Sequence, residues 1–470
     1  MLKKKVKKKL EKIVGSENFL DSQQDLIVYS YDATPDYQAI PDAVIKPKDT
    51  QDVSEIVKVC NEYKVPIVPR GSATNLCAGT TPLEGGLVMV FNHMKDILEI
   101  DEENLTVTVQ PGLITLDMIK AVEEKGLFYP PDPSSMKIST IAGNINECSG
   151  GLRGLKYGVT RDYVIGLEFV MPNGDVVKTG GKLAKDVAGY DLTRLMVGSE
   201  GTLGIITEAT LKLIPIPETK KTMLALYDSL EAAGNTVSKI ISNRIIPATL
   251  EFLDQPTIQV VEDFAKIGLP TEAGAILLIE QDGPAEVVER DIERMAEICN
   301  ETGALSVQVA ATPEEGESLT SARRSALSAL ARLKPTTILE DATVPRSKIA
   351  EMVREIETIA ERNNVRICTF GHAGDGNLHP TCMTDARDKE EMHRVETAFE
   401  EIFAKAIELG GTITGEHGVG VMKSPYLSWK VGEAGVDAMY GIKQAFDPNN
   451  IMNPGKIFAK DTRKRVVVQQ

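Results

Sequence analysis

Apolar residues recur at helical spacing in two stretches near the start of the chain. Val6, Leu10, Ile13 and Val14 fall on one face of a segment whose other faces are mostly lysine. Between Asp52 and Tyr63, Val53, Ile56, Val57, Val59 and Cys60 form a second such stripe, and the β-rich run Val65-Pro66-Ile67-Val68 follows directly. Ile214-Pro215-Ile216-Pro217 marks a boundary, after which helical and strand-like patterns alternate to about residue 365. Beyond it, Thr369 to His372 and Leu378 to Thr381 read as two short strands around Asp375-Gly376, the favoured centre of a two-residue type I′ turn. That loop predicts His372 directly opposite His379.

Directly opposed residues hold their Cβ atoms about 4.5 to 5.5 Å apart on one face of a sheet. Both imidazoles could then reach one metal ion, or they could be two surface histidines on a hairpin. A third ligand is offered by GGTITGEHGVG, residues 410 to 420, where Glu416 and His417 sit side by side between glycines. Two imidazoles and a carboxylate leave metal positions open to substrate, the pattern of a catalytic site. His417 is then available for another role. A glycine-rich turn with an exposed charge is the plainer reading of the same residues.

The first half of the chain carries a different chemistry. In PRGSATNLCAGTTP, residues 69 to 82, small residues at 71, 72, 73, 78 and 79 let backbone N–H groups approach an anion, for which a pyrophosphate is a natural guest. YPPDPSS (129–135), STIAGNINECSGGLRGLKYG (139–158) and VGSEGTLGIITEATLKL (197–213) share this character. Each alone could be tight turns, but four of them cluster ahead of the boundary. No G-x-G-x-x-G occurs, so a Rossmann-type nicotinamide site has no support.

At 470 residues the chain exceeds one hydrophobic core, and two or more domains are expected. The net charge of −16 excludes a general nucleic-acid binder, because a phosphate backbone would be repelled. Lysines crowd the opening MLKKKVKKKLEK, yet no apolar run of signal-peptide length follows and no stretch approaches the roughly 20 apolar residues of a membrane span. A cytoplasmic protein is therefore expected, with the lysines as a solvated helix face or a docking element for an acidic partner. The six cysteines include no C-x-x-C pair, which removes the local signature of an iron-sulfur cluster or zinc ribbon.

Taken in order, PRGSATNL, GLRGLKYGVTRDYV, GYDLTRLMVGSEGTLGIITEA, GHAGDGNLHP, GEHGVG and FDPNNIMNPGKIF resemble the FAD-linked D-2-hydroxyacid dehydrogenases, of the D-lactate dehydrogenase and glycolate oxidase catalytic-subunit type. These belong to the vanillyl-alcohol oxidase and p-cresol methylhydroxylase (PCMH) superfamily. The resemblance implies an α+β fold: a two-subdomain PCMH-type FAD-binding domain over 1–215, a cap domain with an antiparallel sheet over 216–425, and a segment 426–470 returning to the FAD domain. It maps Pro69, Arg70, Gly71, Ser72, Ala73, Thr74, Asn75, Pro131, Asp132, Pro133, Ser134, Gly143, Asn144, Asn146, Gly150, Gly151, Tyr157, Gly158, Glu200, Gly204 and Ile206 onto FAD-contacting segments. The phosphate loop has no histidine for covalent attachment, so non-covalent FAD is implied. His372, His379 and Glu416 map onto ligands of a divalent metal (Zn, Mn or Fe(II)), His417 onto a catalytic base, and Arg323 onto an arginine holding the substrate carboxylate. Arg324, its neighbour, is not separated from it by sequence.

The implied reaction oxidises a small D-2-hydroxyacid to the 2-oxoacid. A metal lowers the alcohol pKa, an imidazole with an ordinary pKa near 6.5 takes the proton, and hydride passes to flavin N5. Ala326, Leu327, Ala329 and Leu330 bring no second cationic anchor, which favours D-lactate, then glycolate, over a dicarboxylate such as 2-hydroxyglutarate. Electrons are expected to leave to a protein partner, an electron-transferring flavoprotein or an iron-sulfur subunit. Two other classes remain: a non-redox FAD-containing synthase of the same fold, and a metal-dependent hydrolase without flavin.

Overall fold

The structure, a computed structural model, describes residues 2–35 and 37–458, so the end of the expected returning segment, 459–470, lies outside the described residues. The chain forms two compact units. The first comprises Met1–Ser149, Val159–Ile216 and Glu416–Gln470, and the second Gly150–Gly158 and Pro217–Gly415.

In the first unit the two amphipathic stripes become helices. Lys4–Val14 buries Val6, Leu10 and Val14, while Ile13 is partly buried against the same core. Thr50–Tyr63 starts where the Asp49 carboxylate accepts the Asp52 N–H at 2.8 Å and stops at Lys64, whose φ of 54° is left-handed. It buries Val53, Ile56, Val57 and Cys60. Both helices share a core with a four-stranded sheet ordered Phe19–Leu20, Ala43–Ile45, Leu87–Val90, Ile67–Arg70, its last three strands parallel. Parallel strands covered on both faces read as continuous apolar runs, as LVMV does here.

A second, antiparallel sheet of the same unit is ordered Ile97–Asp101, Thr106–Val109, Ile205–Lys212, Val164–Val170, Val176–Gly180. Val170 and Ile205 join the core of the first sheet, giving two subdomains on one hydrophobic cluster. After helix Leu427–Phe446 the chain comes back to the first sheet: Ile67 donates its N–H to the Ile451 carbonyl at 2.7 Å, and Asn453 donates to the Ile67 carbonyl at 2.8 Å. The buried Lys443 ammonium fixes this return by donating to the carbonyls of Thr202 and Met452, both at 2.8 Å.

The second unit is an antiparallel sheet ordered Ser306–Val309, Thr219–Tyr227, Ala275–Gly283, Thr249–Asp254, Ile367–His372, Asn377–Thr384, Thr336–Leu339, with Ala342–Thr343 also pairing onto Asn377–Thr384. Helices fill the connections; Leu230–Ser242 and Ile349–Arg362 pack so closely that a Cβ on Gly234 would sit 3.3 Å from the Ala350 backbone. This architecture is the α+β, PCMH-type arrangement expected. No helix among the described residues is long and apolar enough to cross a membrane.

Asp254 ends the central strand and caps the next helix, accepting the Thr257 N–H at 2.9 Å with one oxygen and the Thr369 N–H with the other. Burial pushes its carboxyl up to about 6. A folded-state pKa above the unfolded value contributes stability that is complete below about pH 4 and lost as pH rises through 6. Relative to Asp254→Asn, the wild type should therefore lose roughly 2–3 kcal/mol of unfolding free energy between acid and neutral pH. Urea unfolding of both proteins across that window measures it, and a constant difference would contradict the shift.

Candidate functional site

The hairpin forms from Ile367–His372 and Asn377–Thr384, but its loop has four residues, 373 to 376, rather than two. His372 pairs with Asn377 and His379 with Phe370, so the two imidazoles are diagonal neighbours and not directly opposed. The turn explains the correction. A type I′ turn requires left-handed backbone at both central residues, and only Gly376 has it, at φ 83°. Asp375 and Gly376 both donate to the His372 carbonyl, at 3.3 and 3.1 Å, and a Cβ on Gly376 would lie 2.1 Å from the Val344 carbonyl oxygen. The displacement is two residues, so both histidines keep the same face. Their rings meet edge to face with centroids 5.0 Å apart.

Each buried imidazole has a carboxylate at Nδ1. His372 Nδ1 donates to Glu251 Oε1 at 2.7 Å, and His379 Nδ1 lies 3.2 Å from Asp341 Oδ1. A carboxylate at one ring nitrogen fixes the tautomer and presents the other, Nε2, to a metal with raised basicity. The donor set and this support fit a divalent ion of the zinc, manganese or iron(II) class. Glu251, fully buried in the central strand, also faces Arg323, whose Nη2 is 2.5 Å from Oε2. Arg323 is buried at the end of helix Pro313–Arg324 with its guanidinium carbon 4.8 Å from the centre of the Phe370 ring, whereas Arg324 is only half-buried. Arg323 is thus the inward member of the pair. Its Nε has no hydrogen-bond acceptor among the described residues, leaving a buried donor suited to a carboxylate. Ala326, Ala329 and Leu330 are buried beyond it, and Leu327 is half-buried.

The other oxygen of Asp341 holds backbone in place, Oδ2 accepting the Thr414 hydroxyl at 2.9 Å and the Gly415 N–H at 3.0 Å. Gly415 has no room for a Cβ, which would lie 2.5 Å from Thr343 Oγ1. Glu416 and His417 are the next two residues, the first of the returning stretch of the first unit. Glu251 and Asp341 were missed by sequence reasoning. The available signal was acids next to apolar strand residues, in TLEFLD and TTILEDAT.

In the first unit the 69–75 loop fits a phosphate. No backbone N–H from Ser72 to Leu76 finds an acceptor among the described residues, and Ala73 takes a left-handed φ of 56°, the backbone of an anion-binding nest. A Cβ on Gly71 would fall 2.2 Å from Thr140 Oγ1, the hydroxyl that caps helix Ile141–Glu147. Pro69 and Arg70 end a buried parallel strand, and Asn75 folds its side chain onto the N–H of Gly79 at 2.7 Å. Pro131, Asp132 and Pro133 are buried and Ser134 is exposed. Gly143 donates its N–H to the Thr140 cap at 3.3 Å, and the Asn144 amide donates to Thr115 Oγ1 at 2.6 Å. Asn146 Oδ1 accepts the Gly201 N–H at 3.0 Å. Gly204 and Ile206 lie in or beside the buried strand Ile205–Lys212. Gly150, Gly151, Tyr157 and Gly158 belong to the second unit, where Tyr157 and Lys156 both bind Asp282 Oδ1, at 2.8 and 2.5 Å.

Glu200 meets the loop that follows His417. Both of its oxygens are taken by the 416–420 loop: Oε1 accepts the Val419 N–H at 2.6 Å and Oε2 the Gly420 N–H at 2.7 Å. Burial raises its pKa, while those two N–H groups pull in the other direction. Beside it, burial and then the Glu200 charge push the Glu147 carboxyl well above the usual range.

The fold places the chain among PCMH-type flavoproteins. Substrate-bound p-cresol methylhydroxylase superposes with a TM-score of 0.79 at 18% identity, covering 97% of this chain and 96% of that one. A family model for FAD linked oxidases, C-terminal domain, matches residues 216–457, and an FAD binding domain model matches residues 41–180. The chain is 71% identical to the glycolate oxidase subunit GlcD of Bacillus subtilis over 470 residues, all of both chains. It is 40% identical to a D-lactate dehydrogenase of Anaerostipes hadrus over 433 residues, 90% of each. The chain belongs to the FAD-linked oxidases, and it is an FAD-dependent oxidoreductase.

The phosphate loop yields a direct prediction. Gly71→Ala should clash with the Thr140 hydroxyl and lower the flavin retained on purification several-fold, read as flavin absorbance per protein. Full flavin content in the variant would remove Gly71 from the cofactor site.

Proposed function

We propose that the protein oxidises a small D-2-hydroxyacid, glycolate or D-lactate, to the 2-oxoacid at non-covalent FAD. The observation that carries this reading is the pair of carboxylate-backed histidines, His372 with Glu251 and His379 with Asp341, on one face of the hairpin. Glu416 completes the ligand set in this reading, because it follows Gly415, whose N–H is fixed to the same Asp341 carboxylate that backs His379. The names of the relatives support the substrate class, since they are a glycolate oxidase subunit and a D-lactate dehydrogenase.

A divalent ion held by His372, His379 and Glu416 would supply Lewis acidity at the substrate hydroxyl, and FAD supplies the two-electron acceptor. The residues of the chain do the rest. Arg323 orients the substrate carboxylate through its buried Nε donor, with Glu251 and the Phe370 ring holding the guanidinium in place. His417 takes the hydroxyl proton. Glu251 and Asp341 hold the Nδ1 side of the ligand imidazoles and so aim Nε2. The buried apolar residues after Arg323 bring no second cation, which favours a monocarboxylate.

Anaerobic titration with glycolate, D-lactate, L-lactate and 2-hydroxyglutarate tests the reading through flavin absorbance. Glycolate or D-lactate should bleach the flavin. His379→Ala should lose bound metal while keeping FAD, and His417→Asn should slow flavin reduction by roughly 10² to 10⁴ with metal retained. A flavin untouched by every hydroxyacid would favour the non-redox synthase reading, and unchanged metal stoichiometry in His379→Ala would overturn the ligand set.

The reading extends to a protein electron acceptor, an electron-transferring flavoprotein or iron-sulfur subunit, docking in part through the N-terminal helix. Lys4, Lys8 and Lys12 are exposed at spacing of one turn, opposite the buried Val6, Leu10 and Val14. Removing the helix would open the core, so charge reversal is the proper test. Lys4→Glu, Lys8→Glu and Lys12→Glu together should slow turnover with the acceptor protein but not flavin reduction by substrate. Raising salt from 0.1 to 1 M should do the same, as the Debye length falls from about 10 to about 3 Å. Unaltered turnover would return the lysines to a solvated face.

A further inference from the structure

We infer that Glu200 is a positioning residue for His417, acting through the backbone that follows it, and not a contact to the flavin. The inference rests on the proposed role of His417 as base. Its support lies wholly in the first unit. Glu200 is 5% exposed, and both carboxylate oxygens are spent on consecutive N–H groups, Val419 at 2.6 Å and Gly420 at 2.7 Å. Charge-assisted bonds of this length are the strong kind, and two of them on adjacent residues fix the direction of the chain as well as its place.

The same short segment is closed from its other sides. Val421 donates to the Cys77 carbonyl at 3.0 Å, and the Gly420 carbonyl accepts the Ile457 N–H at 2.7 Å. A Cβ on Gly420 would lie 1.9 Å from the Cys77 oxygen, and one on Gly418 would lie 2.3 Å from Glu147 Oε2. Gly418, the residue between His417 and the first Glu200-bound amide, takes a left-handed φ of 82°. His417 is therefore the last residue before a stretch with no freedom to move.

The backbone of Glu200 points the same way. It adopts a left-handed φ of 52°, next to Gly201 at 69°. Glycine fills such a conformation without strain, whereas a glutamate there is strained and needs its side chain to be worth keeping. Its N–H goes to the Asn146 carbonyl at 3.0 Å and its carbonyl accepts the Asn453 amide at 2.7 Å. The peptide is thus held at both ends so that the carboxylate meets the loop. In Glu200→Gln one oxygen can still accept, but the amide NH₂ opposes a second N–H donor.

A double-mutant cycle on the FAD-loaded enzyme tests this, with anaerobic flavin reduction by glycolate or D-lactate as the readout. Glu200→Gln should keep full flavin content, lower the limiting reduction rate at least tenfold with little change in half-saturating substrate, and alter the pH dependence of that rate. In a His417→Asn background it should slow reduction no further. Gly418→Ala keeps the Glu200 carboxylate but places a Cβ 2.3 Å from Glu147 Oε2 and 3.1 Å from Glu200 Oε1, so it disturbs the same junction, should show the same pattern and serves if Glu200→Gln does not fold. Loss of flavin from Glu200→Gln, or an equal slowing with and without His417, would overturn the inference. An unimpaired His417→Asn enzyme would instead overturn the base assignment on which it rests.

Discussion

A carboxylate with no exposed surface needs partners supplied by the structure, and the site of the second unit is arranged around one such group, Glu251. Its two oxygens face Arg323 and His372, which come from a helix end and a hairpin strand. Taking away one partner of such a group leaves an uncompensated buried charge, at a cost of about 3–5 kcal/mol. The strand, the helix and the hairpin are therefore tied to a single geometry. Asp341 repeats the device at the second histidine and extends it to the backbone at Gly415.

The first unit uses buried carboxylates on loops instead of imidazoles. Asp32 accepts from the N–H groups of Thr34 and Thr80, at 3.0 and 3.1 Å, and Glu200 accepts from Val419 and Gly420. The glycines in these segments are there because something stands where a Cβ would be: a Thr140 hydroxyl at Gly71, a Cys77 carbonyl at Gly420. Loops so constrained can present backbone N–H groups or a histidine at a fixed point without being part of a helix or strand. That is why function sits on loops in a unit whose sheets are only a scaffold.

Much of the scaffold was legible because it depends on local pattern. The stripe of Val53, Ile56, Val57 and Cys60 specified a helix, and Val6, Leu10 and Val14 specified another, since a helix at the surface of a core needs one apolar face and no more. The partners of the site were not legible. Glu251 shares its strand with Asp254, and Asp341 follows Glu340 between the strands Thr336–Leu339 and Ala342–Thr343, and no local rule distinguishes an acid that will meet an arginine or a histidine from its acidic neighbour. Arg323 and Arg324 were equivalent in sequence until helix packing turned one inward.

The hairpin differs from its expected register, yet its two histidines still share a face. Asp-Gly favours a two-residue turn, but Gly376 packs under the Val344 carbonyl, and that tertiary contact selects a four-residue loop closed on the His372 carbonyl. The register slid by two. Side chains alternate faces with a period of two, so an even slip leaves His372 and His379 together, whereas a slip of one would have sent them to opposite sides. That the two histidines share a face therefore depends on parity and not on a particular pairing. The diagonal arrangement also separates the two Nδ1 atoms enough for different carboxylates, Glu251 and Asp341, to reach one each. Each ring is then oriented by its own anion, and those two anions lead to different parts of the chain, Arg323 on one side and the Gly415 backbone on the other.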